Sequence, residues 1–363
     1  MHDEPLLPHG SILSLRWRNI AAAAAVVALA CGAYTLAPHN RQHMGTSYPF
    51  GGSFTLKGWE FLWCAAGAYM LGLIAYYLLE SRPIRSKSLR CAAVVLAFLR
   101  SPAAVVREGW SREDRVAVLT TLLKAFFAPF MVIALMQHVL GAVTNGWAII
   151  AGAGSQFGWL AMFNQHGYWF AMKLILFADV LVFTVGYLVE TPRLHNEIRS
   201  VDPTLLGWTA ALLCYPPFNQ LTGAVLGSSV SDFPKFDDPM THVALNLLLL
   251  ALMAVYASAS VALGLKASNL THRGIVARGP YALIRHPAYT TKNMAWWIGS
   301  APFVWASFTQ SVAAGATALA TVLGWTLLYV LRAVTEEDHL RSVDGDYAAY
   351  AARVRYRFIP GVV

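Results

Sequence analysis

Long apolar runs decide most of what this chain can fold into. Stretches near 18–37, 59–79, 116–140, 168–189, 204–226, 241–264, 294–308 and 311–331 consist mainly of aliphatic, aromatic and small residues. A bilayer core needs roughly 20 such residues per helix, and lipid leaves the backbone no partner except its own helix. The expectation is an all-α fold: a polytopic membrane helical bundle of about eight transmembrane helices. The seventh run is short and the eighth follows almost at once, which reads as a tight helical hairpin. The composition agrees: 57% of residues are hydrophobic, 13% are charged, and mean hydropathy is +0.49. Such values argue against a soluble enzyme.

The loops carry a charge alternation. Arg16 and Arg18 precede the first run, and residues 81–115 are crowded with arginine and lysine. Residues 141–167 hold no Lys, Arg, Asp or Glu, and 227–240 are acidic through Asp232, Asp237 and Asp238. Segments 190–203, 265–293 and the tail are basic again. Under the positive-inside rule both termini fall in the cytoplasm, in the inner (plasma) membrane if the cell is bacterial. The net charge of +8 is then a topology signal facing anionic lipid. No zinc-finger spacing and no basic stripe interleaved with aromatics is present, so nucleic acid is not an expected partner. Two arginines before an Ala/Val-rich run also resemble a cleavable signal peptide; the length of the run and the downstream alternation favour a retained anchor. Residues 92–106 read either as an interfacial amphipathic helix or as a poorly hydrophobic span. Residues 141–167 read as a short re-entrant segment or a cap on the opposite face. Cys31, Cys64, Cys91 and Cys214 are far apart and read as apolar packing residues, with no metal site implied.

The unusual chemistry lies in the loop after the sixth run and in the tail. The loop reads HRGIVARGPYALIRHPAYTTKN from His272 to Asn293. Gly279-Pro280 marks a turn, and Pro287 suits the first position of a new helix. Arg285 and His286 should therefore sit at a helix mouth, where free N–H groups and the helix dipole favour a carboxylate or another anion. In the tail, Arg332, Glu336 and Leu340 share one helix face. The adjacent acids Glu336 and Glu337 could hold the hydroxyls or amine of a polar cofactor, or form ordinary i, i+4 ion pairs on a surface helix.

Together, Gly279-Pro280-Tyr281, Arg285-His286-Pro287-Ala288-Tyr289, a helical hairpin, Glu336-Glu337, Tyr347, Tyr350 and Phe358-Ile359-Pro360 resemble the isoprenylcysteine carboxyl methyltransferase and phospholipid methyltransferase superfamily. His272 matches the usual lead-in. The resemblance covers residues 241–363 and implies a methyltransferase-like membrane domain with a cytoplasmic cofactor pocket, behind an N-terminal bundle of about five helices, 1–240, of unknown role. It implies an S-adenosylmethionine-dependent methyltransferase whose lipophilic small-molecule or lipidated substrate, with a carboxylate, thiol or amine acceptor, enters from the membrane. It assigns His272, Tyr281, Arg285, His286, Pro287, Tyr289, Glu336 and Glu337 to the cofactor. Arg332 would face the acceptor or the cofactor carboxylate, and His286 or Glu337 would take a proton where an amine is methylated. One departure stands out: Thr291 occupies the place where the family commonly has glycine, with Trp296 and Trp297 further along the pocket wall. Two other readings stand beside this one. Membrane sterol reductases are similar over the same region and use NADPH, whose phosphate Arg353, Arg355 and Arg357 could meet. A non-catalytic membrane scaffold is the third.

Overall fold

The computed structural model describes residues 9–152, 158–227 and 230–362, and the chain divides into two compact units, 1–134 and 135–363. The sequence reading divides the chain at 240/241; packing divides it inside a helix at 134/135.

The first unit holds α1 (His9–Leu36), α2 (Arg41–Gly45), the hairpin strands β1 (Ser47–Gly51) and β2 (Phe54–Lys57), α3 (Gly58–Leu79), α4 (Lys87–Arg100) and α5 (Pro102–Glu108). It ends in the first half of α6 (Arg112–Gly152). Glu60 accepts from the Lys57 backbone N–H at 2.7 Å and so satisfies a free donor at the start of α3. Only 11% of the apolar window of α3 is buried within the protein, so its aliphatic face needs a non-aqueous surrounding. Buried Asn19 of α1 donates to the Ile84 carbonyl at 2.7 Å and accepts from the Ser86 N–H at 2.9 Å, which fixes the α3–α4 turn. The segment expected as one helix at 92–106 is broken: α4 and α5 meet at a 118° bend, with Pro102 opening α5.

The second unit continues with α7 (Trp159–Met162), α8 (Tyr168–Leu188), β3 (Ser200–Val201), α9 (Leu205–Leu212), α10 (Phe218–Leu226) and α11 (Pro239–Leu263). It closes with β4 (Thr271–His272), α12 (Pro287–Gln310), α13 (Val312–Val343) and α14 (Asp346–Arg353). Asp238 caps α11 by accepting from the Thr241 N–H at 2.7 Å, and Ser311 caps α13 by accepting from Ala314 at 3.1 Å. Tyr168, Met172, Leu249, Leu250, Met253 and Ala295 form the packing centre between α8, α11 and α12. In lipid such contacts stabilise by close fit more than by removal from water, which favours small residues at crossings. Gly186 of α8 is small for a related reason: a Cβ there would overlap the carbonyl of Ala267 in the loop after α11.

Among the described residues six helices are long and apolar enough to cross a membrane, or seven if α4 and α5 count as one, which is compatible with a multi-pass integral protein. The sequence reading expected about eight, and the difference lies in two of the apolar runs. The run at 204–226 is two short helices parted around Tyr215-Pro216-Pro217, because proline supplies no N–H to continue the first. The short run at 294–308 is the C-terminal part of α12, which is 24 residues long but carries Lys292, Asn293 and several small polar residues. Flanked by α11 and α13, α12 can hold them against protein instead of lipid. The expected hairpin is present, with α12 and α13 meeting at Ser311. Of the segment 141–167, α6 runs on to Gly152 and α7 leads into α8, while 153–157 lie outside the described residues.

Three loops expected on one side of the membrane meet at one end of the second unit. β3 pairs antiparallel with β4, Ser200 opposite His272 and Val201 opposite Thr271. Buried Arg273 then donates to the carbonyls of Gly186 at 2.8 Å and of Asn196 and Leu265 at 3.1 Å. The tail returns to the same place: the N–H groups of Arg285 and His286 donate to the carbonyls of Tyr356 and Arg357, both at 3.0 Å.

Candidate functional site

A cavity of about 180 Å³ opens between these loops and the ends of α11, α12 and α13. Pro287 opens α12 as expected, so His286 is its N-cap residue. The His286 ring stacks on the Tyr289 ring with centroids 5.5 Å apart and planes 8° apart. Its Nε2 lies 3.1 Å from Glu337 Oε1 and its Nδ1 3.8 Å from Glu336 Oε2, so the imidazole stands between two carboxylates. Tyr289 donates its hydroxyl to Glu336 at 2.6 Å. The Glu336 side chain keeps 30% of its surface exposed and lines the cavity. A carboxylate with one firm partner retains lone pairs for a ligand.

Arg332 lies one turn back on the same face and is buried. Its guanidinium sits 5.0 Å from the Tyr289 ring centre, 5.4 Å from Tyr329 and 5.7 Å from Tyr215. It donates to Asn269 Oδ1 at 3.0 Å, and Asn269 is itself fixed by the Tyr187 hydroxyl at 2.9 Å. Aromatic faces stabilise a cation that water no longer reaches. The face Arg332, Glu336, Leu340 read from the sequence is thus the face that lines the cavity.

Glu337 is different. It is fully buried and does not line the cavity. It accepts from Arg285 at 2.8 Å, from Arg341 at 2.7 Å and from Arg357 at 3.0 and 2.9 Å. The hydrogen bond to Glu337 raises the Arg357 guanidinium above its ordinary pKa. Every lone pair of Glu337 is committed to the protein. The expectation that it binds a cofactor or takes a proton is therefore corrected to that of a tie between loop, helix and tail. Arg285 lines the cavity and reaches from Glu337 to the carbonyls of Val354 at 3.0 Å and Arg355 at 2.7 Å. Pro287 is buried away from the cavity and shapes the turn.

Tyr281 and His272 both line the cavity. The Tyr281 carbonyl accepts from the Tyr350 hydroxyl at 2.9 Å, and burial pushes the Tyr350 phenol up to about 12, so it is a donor at neutral pH. His272 Nε2 lies 2.6 Å from Asp344 Oδ2, yet burial lowers the imidazole below its usual value. Trp296 does not line the cavity; its ring packs edge-on to Tyr329.

The sequence reading missed the wall contributed by α8, the α9–α10 turn, α11 and the loop before β4: Tyr215, Tyr256, Ser260 and Asn269 line the cavity, with Asp179 behind them. A signal was present. Asp179 is the sole acid within α8, and an ionisable residue inside an apolar run marks a functional position by default.

Residues 225–354 match the model of a family described as "Protein of unknown function (DUF1295)". The match takes in α11, the cavity loop, α12, α13 and α14. No curated protein and no solved structure matches the chain.

Proposed function

We propose that the second unit is an S-adenosylmethionine-dependent methyltransferase acting on a lipophilic substrate, with the cavity at the cytoplasmic side. The observation that carries this reading is Glu336: an acid facing the cavity, oriented by Tyr289 and His286, on the helix face that also presents Arg332. The fit to the cofactor rests on this donor set. An exposed carboxylate suits an ammonium group or ribose hydroxyls, Arg332 suits a carboxylate, and the tyrosine faces around them suit a sulfonium. When bound, the cofactor supplies an activated methyl group. The protein's part is to hold the acceptor in line and exclude water, and orientation alone can lower a barrier by several kcal/mol. His286, held by Glu337, keeps Tyr289 stacked, and Tyr289 in turn fixes Glu336.

One observation favours a second reading, hydride transfer from NADPH. At the cavity mouth the Lys266 ammonium and the Arg199 guanidinium both approach Gly274, where they could meet a phosphate. The tail arginines expected in that role do not line the cavity: Arg353 and Arg355 are exposed, and Arg357 is bound to Glu337. Calorimetric titration of the purified chain in detergent separates the two. Saturable binding of S-adenosylhomocysteine with none of NADPH is expected; NADPH binding alone sinks the methyltransferase reading.

A further inference from the structure

The cavity wall holds a second polar cluster that the proposal above does not use. Asp179 of α8 is 6% exposed and accepts hydrogen bonds from Tyr256, at 2.9 Å, and from Ser260, both on α11. The Tyr256 hydroxyl meets its Oδ2 and the Ser260 hydroxyl its Oδ1, so both carboxyl oxygens are engaged. Ionising an acid at that depth is costly, and a cation nearby offsets part of the cost. Lys292 of α12 is the cation whose field reaches it. The Lys292 ammonium lies 5.3 Å from the Tyr256 ring centre, 5.4 Å from Trp296 and 5.8 Å from Tyr329. Among the described residues no carboxylate lies within ion-pair distance of it. Tyr256, Ser260 and Lys292 line the cavity and Asp179 does not. The groups facing Asp179 are thus Tyr256 and Ser260 from α11, Lys292 from α12 and Tyr281 from the cavity loop, while Arg332 of α13 approaches the same Tyr329 ring as Lys292.

We infer that this cluster is the acceptor subsite and that the acceptor is a weakly acidic hydroxyl, a phenol or enol on a lipophilic body. The inference rests on the methyltransferase reading and narrows it. A carboxylate arrives already ionised and has no use for a proton relay. An amine arrives as an ammonium and is repelled by Lys292 and Arg332. A phenol next to Lys292 ionises more readily, and Tyr256 offers its proton a path. As the oxygen–methyl bond forms, the methyl–sulfur bond breaks with its electron pair left on sulfur. The substrate O–H proton passes to the Tyr256 oxygen while the Tyr256 proton moves to Asp179. The positive charge lost from sulfur is thereby balanced by one proton, which Asp179 gives back through the Tyr256 or Ser260 hydroxyl to water in the cavity.

The full chain in detergent, with S-adenosylmethionine, is offered 4-nonylphenol, dodecanoic acid and dodecylamine, and products are read by mass for a 14-dalton gain. The aryl methyl ether is expected, with the other two unmodified. Tyr256→Phe keeps the ring and is expected to lower kcat on nonylphenol about 100-fold, with acceptor KM within about threefold, as for loss of a proton path. Asp179→Asn acts through Tyr256, so its residual rate is expected to climb with pH as free phenolate does. Lys292→Met moves the pH profile toward alkali. Binding of S-adenosylhomocysteine by each variant reports that the fold is intact. If the chain binds S-adenosylhomocysteine but methylates the acid or the amine instead, or no probe at all, the hydroxyl assignment is overturned while the methyltransferase reading stands. A rate and pH profile unchanged in both Tyr256→Phe and Asp179→Asn overturn the relay. If S-adenosylhomocysteine does not bind the wild-type chain, both readings fall together.

Discussion

Glu336 and Glu337 are neighbours in sequence and belong to two different regions of the molecule. Glu337 faces the junction of loop, helix and tail, where three arginines and His286 surround one fully buried carboxylate. Glu336 faces the cavity with one short hydrogen bond, from Tyr289, and open surface beyond it. The turn of α13 between them separates charge used for architecture from charge left available. The comparison teaches that two identical side chains in one motif divide their work by helix phase, because successive residues on a helix point about 100° apart.

The largest effect should come from breaking the junction. Glu337→Ala leaves Arg285, Arg341 and Arg357 without their common acid, and removing one partner from such a buried set costs about 3–5 kcal/mol. A large fall in the thermal midpoint in detergent is expected, whether or not ligand is present. An unchanged midpoint would erase the distinction drawn between the two acids. Next comes Glu336→Ala, which should weaken S-adenosylhomocysteine binding more than about tenfold, or about 1.4 kcal/mol, by calorimetry. Its midpoint without ligand should stay close to wild type. His286→Ala touches both regions, so it should lose affinity to a similar degree and also some stability. Unchanged affinity in both variants would remove the cofactor assignment.

How much of this was legible beforehand follows the same division. The face Arg332, Glu336, Leu340 could be read because helical periodicity is a local property. Pro287 at the start of α12 was legible for a local reason too, its fixed backbone angle. The opposite fates of Glu336 and Glu337 were not, since they depend on where the tail returns, and Arg357 meets Glu337 through contacts twenty residues apart. Hydropathy alone is least informative where a helix carries polar residues between its neighbours, as in α12, or where prolines break an apolar run, as between α9 and α10. Asp179 was visible as an acid inside an apolar run; what it touches required knowing that α11 lies beside α8.

A milder disturbance of the junction sharpens the comparison. Arg357→Met removes two hydrogen bonds to Glu337 but leaves Arg285, Arg341 and His286 in place. A loss of about 1–2 kcal/mol is expected, read as a smaller fall in midpoint than for Glu337→Ala, since charged hydrogen bonds contribute about 1.5–3 kcal/mol and partial exposure reduces that. Affinity for S-adenosylhomocysteine should hardly change, because Arg357 does not line the cavity. A loss of affinity with no loss of stability would move Arg357 to the cavity side of the divide.

The smallest effect concerns His272, which lines the cavity and also contacts an acid, Asp344, and so tests which regime governs the mouth. Burial holds its imidazole below the ordinary value, and the Asp344 carboxylate offsets this only in part. In the unfolded chain the same ring titrates near about 6.5. As pH falls through that value the unfolded state takes up the proton first, so stability is lost between the unfolded pKa and the lower folded one. Above the unfolded value the contribution is fully present. Thermal midpoints at pH 8 and pH 5.5 should therefore differ more in the wild type than in His272→Gln, which has no group to titrate there. A smaller difference in the wild type than in His272→Gln would mean that His272 is held protonated by Asp344 in the folded protein, as the arginines are held by Glu337. The mouth of the cavity would then belong with the junction and not with the open wall that presents Glu336.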